Sequence, residues 1–208
     1  MPSVRTRTNP ERSAATRARL VKEARKAFGT IGYADTKTER ILEAAGMTRG
    51  ALYHHYIGKS DLFRAVCEDM YAEIGREIEA RTREIVDPWQ SLVEGSMVFL
   101  DVLTNREVVQ VLFLDGPAVL GWKEWDAIDR KYGFNLLLLA VEEAMVAGQL
   151  RKQRVEPLAV LLNGAMNEAV FWAARQRDRN AAVRQVKEAV RGLFEALHVS
   201  DKPRPRGR

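Results

Sequence analysis

Apolar residues recur at steps of three and four along most of the chain, the spacing that places them on one face of an α-helix. Near the N-terminus, Ala24 and Phe28 belong to such a stripe, which predicts a first helix that ends near Gly32. A short second helix stops at Gly46, and a third covers residues 49–55. The N-terminal part is therefore predicted to form three helices around a small apolar core.

Polar residues at the starts of these helices fit capping patterns. Thr36 and Glu39 have the spacing of a capping box ahead of the second helix. Thr48 is placed to cap the third helix through its hydroxyl oxygen. Gly46 can adopt the left-handed backbone conformation that a tight turn requires. These features predict two short helices joined by a tight turn.

The rest of the chain also has helical spacing, without the alternation typical of a β-strand, so the predicted fold is all-α. A long fourth helix, with Ser60 as its N-cap, ends before Pro88 and connects two domains in our interpretation. Turn residues separate the helical segments that follow it. These segments cover about 89–103, 106–114, 122–147, 157–175 and 180–198.

The pattern divides the chain into two domains. We predict a three-helix domain over residues 1–58, in which 1–14 form a flexible arm, and a larger helical domain over 59–200. The last segment, 201–208, has two prolines, four basic residues and no apolar anchor, and it is predicted to be disordered.

Composition limits the class of protein. The chain has 208 residues, of which 46% are hydrophobic and 29% charged, as expected for a globular protein with one substantial core. No apolar run approaches the roughly 20 residues of a membrane span. The N-terminus lacks the apolar segment of a signal peptide, and the single cysteine, Cys67, has no partner for an intrachain disulfide. We expect a cytoplasmic protein without a membrane segment.

The charge is distributed unevenly. Residues 1–59 have 12 Lys or Arg against 5 Asp or Glu, a net charge of +7, whereas residues 60–208 have 21 against 23, a net charge of −2. A basic segment favours a polyanionic partner, since Lys and Arg that neutralise phosphates release condensed counterions. Charge alone leaves DNA, RNA and acidic lipid open.

The two short helices have the form of a helix-turn-helix, whose second helix enters the DNA major groove. Arg49 begins that helix and can donate two hydrogen bonds to guanine, while the small residues Gly50 and Ala51 allow a close approach to DNA. The remaining donors around this helix suit phosphates, which set position and not sequence. They are Thr48, Tyr53, His54, His55 and Lys59.

The motif A-A-G-M-T-R-G-A-L-Y-H-H-Y, followed by G-K-S-D-L-F, resembles the helix-turn-helix signature of the TetR family of transcriptional regulators. The resemblance covers residues 16 to about 66, and residues 115–138 more weakly resemble a C-terminal domain of one subset of that family. It implies a set of DNA contacts at matching positions. These are Lys37, Thr38, Thr48, Arg49, Gly50, Ala51, Tyr53, His54, His55 and Lys59.

The resemblance also implies a helix-turn-helix domain followed by a helical ligand-binding and dimerisation domain. It implies a repressor that leaves double-stranded operator DNA when a small molecule binds, with the fourth helix transmitting the change; activation or ligand-independent action stays open. The last two helices, about 157–175 and 180–198, would form the homodimer. Apolar residues of the last helix follow a three-four alternation suited to such pairing, or to completing the monomer core. They are Val183, Val186, Val190, Leu193 and Leu197.

The larger domain is rich in aromatic and methionine side chains, most of which are expected to be core. Asn163 and Asn167 lie four apart in an apolar helix, where they could bond each other, cross the dimer interface or orient a ligand. A mixed aromatic and amide lining suits a largely apolar effector. The candidate ligand contacts are Phe99, Phe113, Trp122, Trp125, Tyr132, Asn163, Asn167 and Phe171.

Other classes of function find less support. An enzyme with a site in a helical bundle would need a histidine and carboxylates in the apolar domain, but the histidines are residues 54, 55 and 198, so we predict no catalytic residues and no cofactor. No metal is predicted either, because His54 and His55 diverge on the helix and no ligand set completes a site. A membrane-surface protein fits the compact basic motif poorly. An architectural DNA binder without a sensor remains the main alternative.

Two further features have open interpretations. Cys67 lies in an apolar helix and is interpreted as a packed small residue, with redox sensing as the alternative. The basic residues Arg5, Arg7 and Arg12 could enter the minor groove as a short arm, or remain solvated.

Overall fold

The computed structural model describes residues 9–199. Helices make up nearly all of this part, and its only extended pairing is an isolated bridge between Leu150 and His198. No helix in the described residues is long and apolar enough to cross a membrane. The helices are α1 (Asn9–Asp35), α2 (Thr38–Ala45), α3 (Arg49–His55), α4 (Lys59–Thr82), α5 (Pro88–Leu100), α6 (Arg106–Val108), α7 (Gly116–Leu120), α8 (Trp122–Asp129), α9 (Asn135–Val146), α10 (Val155–Ala174) and α11 (Arg179–Leu197).

Packing divides the chain into two compact units. The first unit contains the chain up to Met70 together with Arg106–Trp125, and the second contains Tyr71–Asn105 together with the chain from Asp126 onward. The predicted all-α fold is confirmed.

The first unit has an apolar core built from α1, α2, α3 and the start of α4. Phe28, Ile41 and Leu52 are completely buried, and Phe28 lies on the predicted apolar stripe of the first helix. The rings of Phe28 and Phe63 meet edge to face with centroids 5.2 Å apart, a favourable geometry for aromatic pairs. These contacts hold the short helices α2 and α3, which are too short to be stable alone.

The segment 106–125 packs against α1 within this first unit. The Asp115 carboxylate accepts a hydrogen bond of 2.8 Å from the backbone N–H of Tyr33. A Cβ atom on Gly29 would lie 2.6 Å from the Cβ of Glu107, so the two backbones approach where glycine leaves room. Packing therefore groups residues 106–125 with the N-terminal helices, although the sequence analysis assigns them to the larger domain.

The helix starts differ from the sequence-based predictions in three places. α1 begins at Asn9, so residues 9–14 of the predicted arm are helical; residues 1–8 and 200–208 lie outside the described residues, including Arg5, Arg7 and the predicted tail. The predicted capping box is wrong, because Thr36 is buried and its hydroxyl donates to the Gly32 carbonyl at 2.6 Å. Ser60 lies inside α4, which begins at Lys59.

The second unit departs from regular helix geometry at the predicted long helix 122–147. A π-helical turn, Arg130–Phe134, separates α8 from α9, and another, Val109–Asp115, precedes α7 in the first unit. A π turn accommodates an extra residue, which shifts the faces of the residues that follow it. Helical spacing alone therefore misplaces side chains on either side of such a turn.

Candidate functional site

The turn between α2 and α3 is fixed by backbone and side-chain hydrogen bonds. Gly46 has φ 62° and ψ 42°, in the left-handed region, and its N–H donates to the Glu43 carbonyl at 3.0 Å. Thr48 accepts a bond of 3.3 Å from the N–H of Ala51, so the predicted cap of α3 is confirmed. Glycine is favoured at such a position because a side chain would strain it. The turn therefore sets the orientation of α3.

One face of α3 is buried and the other is open to solvent. Leu52 is completely buried and Tyr56, just after the helix, is 4% exposed, whereas Tyr53 on the other face is 60% exposed. Arg49 and His54 share this exposed side. Of the predicted DNA contacts, Lys37, Thr48, Arg49, Gly50, Tyr53 and His54 are exposed, and Thr38, Ala51, His55 and Lys59 are partly exposed. None is buried, and α2, α3 and the start of α4 bring them together.

Arg49, the predicted base contact, is paired with Glu39 of α2. Its guanidinium donates to the Glu39 carboxylate, and both side chains are exposed. This hydrogen bond lowers the pKa of Glu39 and raises that of Arg49. Contact between Arg49 and a base therefore requires that the guanidinium leave or share this carboxylate.

Lys59, which the sequence predicts as a phosphate contact, also makes contacts within the protein. Its ammonium donates to the Thr36 carbonyl at 2.8 Å and lies 4.1 Å from the centroid of the Tyr33 ring. An ammonium over an aromatic face is attracted by the ring quadrupole. Lys59 thus joins the start of α4 to the loop between α1 and α2.

The two adjacent histidines of α3 differ in environment. Burial lowers the pKa of His55, and the neighbouring His54 and Arg17 lower it further. The lowered pKa favours the uncharged imidazole of His55 in the free protein.

A separate cavity of about 220 Å³ lies in the second unit, among α4, α5, α9 and α10. Its apolar wall includes Leu92, Phe99 and Leu136. Its lining residues include two glutamates and no Lys, Arg or His. The polar lining residues are Glu79, Thr82, Ser91, Ser96, Glu143 and Asn163.

A buried polar cluster adjoins this cavity. Asp129, at the end of α8, is 1% exposed, and its Oδ2 accepts bonds from the amides of Asn163 at 2.9 Å and Asn167 at 3.4 Å. Within residues 9–199, Asp129 Oδ1 and Asn167 Oδ1 have no hydrogen-bond partner. Burial raises the pKa of the Asp129 carboxyl, and the two amide bonds oppose that effect. The two asparagines therefore converge on a carboxylate, an arrangement that was not among the three predicted for them.

The predicted ligand contacts do not form one group. Phe99 and Asn163 line the cavity, and Asn167 lies behind it in the polar cluster. Phe113, Trp122 and Trp125 belong to the first unit, where the Trp125 indole donates to the Leu112 carbonyl at 2.6 Å. Tyr132 and Phe171 belong to the second unit but are not among the lining residues.

Sequence reasoning missed the acidic residues of this region. Asp129 is followed by Arg130 and Lys131 and resembles a surface acid, and a π turn begins directly after it. Glu79 and Glu143 lie on helix faces that the sequence marks as solvated. Nothing in the apolar pattern identifies them, because the pattern does not show where packing leaves a void.

Cys67 is completely buried, as its packed interpretation expects. Burial raises the pKa of its thiol far above the ordinary range. Since the thiolate is the reactive form, this environment disfavours redox chemistry at Cys67.

The geometry of α2, the tight turn and α3 defines a helix-turn-helix DNA-binding protein. Comparison with known proteins agrees. Residues 20–66 match the family of bacterial regulatory proteins named tetR, and residues 89–197 match the tetracyclin repressor-like C-terminal domain. The chain belongs to the TetR family of DNA-binding transcriptional regulators.

Relatives of known structure or sequence extend this match. A TetR-family transcriptional regulator from Pectobacterium atrosepticum is 31% identical, with a TM-score of 0.80 over 95% of this chain and 100% of that one. The transposon Tn10 TetC protein of Escherichia coli is 26% identical over 70% of this chain and 73% of its own length. An HTH-type transcriptional repressor of Mycobacterium tuberculosis is 29% identical over 55% of this chain and 60% of its own.

Proposed function

We propose that this regulator is a homodimeric repressor that binds operator DNA through α3 and leaves it when a small molecule occupies the cavity of the second unit. The observation that carries the proposal is the exposed surface of α3, where Arg49, Tyr53 and His54 lie beside a capped helix start. A helix presented in this way fits the major groove. Similarity to a repressor of Mycobacterium tuberculosis supports negative regulation.

The cavity supports a sensor. An architectural DNA binder without a sensor predicts a filled core, whereas the second unit holds about 220 Å³ of space with a mixed apolar and polar wall. A ligand that favours a dimer with a different spacing of its two recognition helices opposes DNA binding by linkage. The cavity therefore favours ligand-controlled repression over the architectural alternative.

Exposed apolar residues on the last two helices support dimerisation. On α10, Leu161 is 70% exposed and Trp172 is 39% exposed, and on α11 Leu193 is 41% exposed. Val186 and Val190, part of the same predicted seam, are already buried within the unit. The seam thus contributes to the monomer core and leaves an apolar surface suited to a symmetry mate.

Titration of the protein with its own upstream intergenic DNA, at two salt concentrations, tests operator binding. We expect the wild type to bind a near-palindromic site tightly and in a salt-dependent way. Arg49→Ala should lower the ratio of affinities for this site and a scrambled duplex at least tenfold, because a good base contact contributes about 1.4 kcal/mol to discrimination. Arg151→Ala is the matched control, because Arg151 is exposed and lies outside the first unit. Equal binding of every duplex by the wild type would contradict operator recognition.

Sedimentation of surface variants tests the dimer. Leu161→Glu combined with Leu193→Glu should shift the protein to monomer, because two charges would be buried in the proposed interface. Val146→Glu is the control, since Val146 of α9 is 84% exposed and lies outside α10 and α11. A double variant that sediments like the wild type would exclude this interface.

A further inference from the structure

The carboxylate of Asp129 is an unusual feature for a protein interior. The side chain is 1% exposed, and only one of its two oxygens is engaged, by the amides of Asn163 and Asn167. Buried polar atoms normally have partners, because leaving one unpaired costs free energy. Two unpaired acceptors, Asp129 Oδ1 and Asn167 Oδ1, occur in this one cluster. Among the described residues, each of these two acceptors lacks a hydrogen-bond donor.

The cluster meets the cavity at two residues. Asn163, which donates to Asp129, is itself a lining residue. Gly133 is another lining residue, and the Cβ atom that it lacks would lie 3.3 Å from Asp129 Oδ1. Asp129 Oδ1 is therefore enclosed in the free protein and lies directly behind Gly133, a part of the cavity wall that carries no side chain.

The charge of the cavity has one sign. Glu79 and Glu143 are solvent-exposed lining residues, Asp129 is buried beside the cavity, and no basic side chain is among the lining residues. Around Asp129 itself, Asp126 and Arg130 are the nearby charges, and they pair with each other at 2.8 Å. An anionic ligand would find repulsion and no counter-charge, whereas a cationic donor would find both an acceptor and a complementary field.

We propose that the effector is a largely apolar molecule with a protonated amine or a similar cationic hydrogen-bond donor, which binds in the cavity beside Gly133 and reaches Asp129 Oδ1 past that glycine. This inference rests on the proposed function, since it assigns the chemistry of the ligand that the cavity takes. The apolar part of the ligand contacts Leu92, Phe99 and Leu136. The cationic group supplies the donor that the cluster lacks.

A matched set of probes tests this chemistry on the full chain. Naphthylmethylamine, naphthylmethanol and naphthoate share an aromatic body and differ in one polar group, which is a cation, a neutral donor and an anion at pH 7. Calorimetric titration of the wild type should give an affinity for the amine at least about tenfold higher than for the alcohol. A charge-assisted hydrogen bond that contributes about 1.4 kcal/mol more than a neutral one produces this ratio of affinities. Naphthoate should bind most weakly.

Two variants locate the preference at Asp129. Asp129→Asn removes the charge, and the amine-to-alcohol ratio should fall to near one. Gly133→Ala keeps the charge but places a methyl group against Oδ1, and it should lower the same ratio even if Asp129→Asn fails to fold. Asp126→Asn is the matched control, because it removes a partly exposed carboxylate three residues away, and its ratio should equal that of the wild type.

The outcomes separate this inference from the proposed function. Equal binding of amine and alcohol, tight binding of naphthoate, no amine binding up to about 1 mM, or an unchanged ratio in both cavity variants would each overturn the inference. Amine binding that depends on Asp129, in a protein that binds no operator, would support the inference while contradicting the proposed repressor. Operator binding without any amine preference would do the reverse.

Discussion

The two units of the chain place the polar groups of their proposed sites in opposite environments. In the first unit, Arg49 and Tyr53 lie on the open side of α3, above the completely buried Leu52. In the second unit, Asp129 and Asn167 are 1% and 7% exposed, beside a cavity. The exposed set is open to water and Arg49 is also paired with Glu39, whereas the second set retains unpaired oxygens. Surface recognition of DNA therefore costs the free protein little stability, and the internal polar cluster costs it more.

Asp129→Asn should change the free energy of unfolding more than any other variant considered for either unit. The variant keeps an oxygen for the amide of Asn163 and adds an amide that can donate to Asn167 Oδ1. Relief of an unpaired buried acceptor should raise the free energy of unfolding by about 1–3 kcal/mol at pH 7, measured by urea denaturation. His54→Gln, on the exposed side of α3, should change it by less than about 0.5 kcal/mol. A destabilised Asp129→Asn protein would show that the carboxylate supports the fold.

The pH dependence of that difference sharpens the test. Burial raises the pKa of Asp129 in the folded protein above the ordinary aspartate value of 3.8, so the folded state binds the proton more tightly than the unfolded state. The contribution of Asp129 to stability is then most favourable below pH 3.8 and is lost as the pH rises through the folded-state pKa. The advantage of Asp129→Asn should therefore grow as the pH is raised from about 4 to 7. A constant difference would contradict a raised pKa.

Lys59→Met should have a smaller effect, in the first unit. The ammonium of Lys59 bonds the Thr36 carbonyl and lies over the Tyr33 ring, so its loss should lower the free energy of unfolding by about 1 kcal/mol. Lys37→Met, at an exposed residue of the same predicted DNA surface, should weaken DNA binding without this loss. Equal stability of the two variants would assign Lys59 to DNA contact alone.

The sequence is more informative about the first unit than about the second. Helical spacing predicted the buried face that includes Ala24 and Phe28, and the cap at Thr48 is confirmed. Such features depend on neighbours within one or two turns, which a sequence displays directly. The same local reasoning failed at Thr36, because its hydroxyl had an alternative acceptor at Gly32 in the preceding turn.

The candidate cavity depends on contacts between residues far apart in the chain. Asp129, at the end of α8 just before a π turn, accepts hydrogen bonds from Asn163 and Asn167 of α10. No rule based on residue spacing predicts this contact. Trp125 was predicted to contact ligand from its size and apolar surroundings, yet it packs in the first unit. Large aromatic side chains fill cores and line cavities alike, so their type alone does not distinguish the two roles.

Disrupting the pair formed by Arg49 and Glu39 should have the smallest of the expected effects, a change in affinity for DNA. Glu39→Gln should raise affinity for any duplex a few-fold, because the guanidinium is released and a negative charge near the phosphates is removed. Glu43→Gln removes an equal charge from an exposed residue of α2 that does not pair with Arg49, and serves as the control.

The two causes can be separated by combining Glu39→Gln with Arg49→Ala. If the effect of Glu39 runs through its pairing with Arg49, the gain should disappear in the double variant, since coupled residues give non-additive changes. If Glu39 acts only as a nearby negative charge, the gain should persist and match that of Glu43→Gln. The first result would mean that the free protein holds its base-contacting side chain in an intramolecular pair, so that even on the exposed surface one functional group is partly satisfied before DNA arrives.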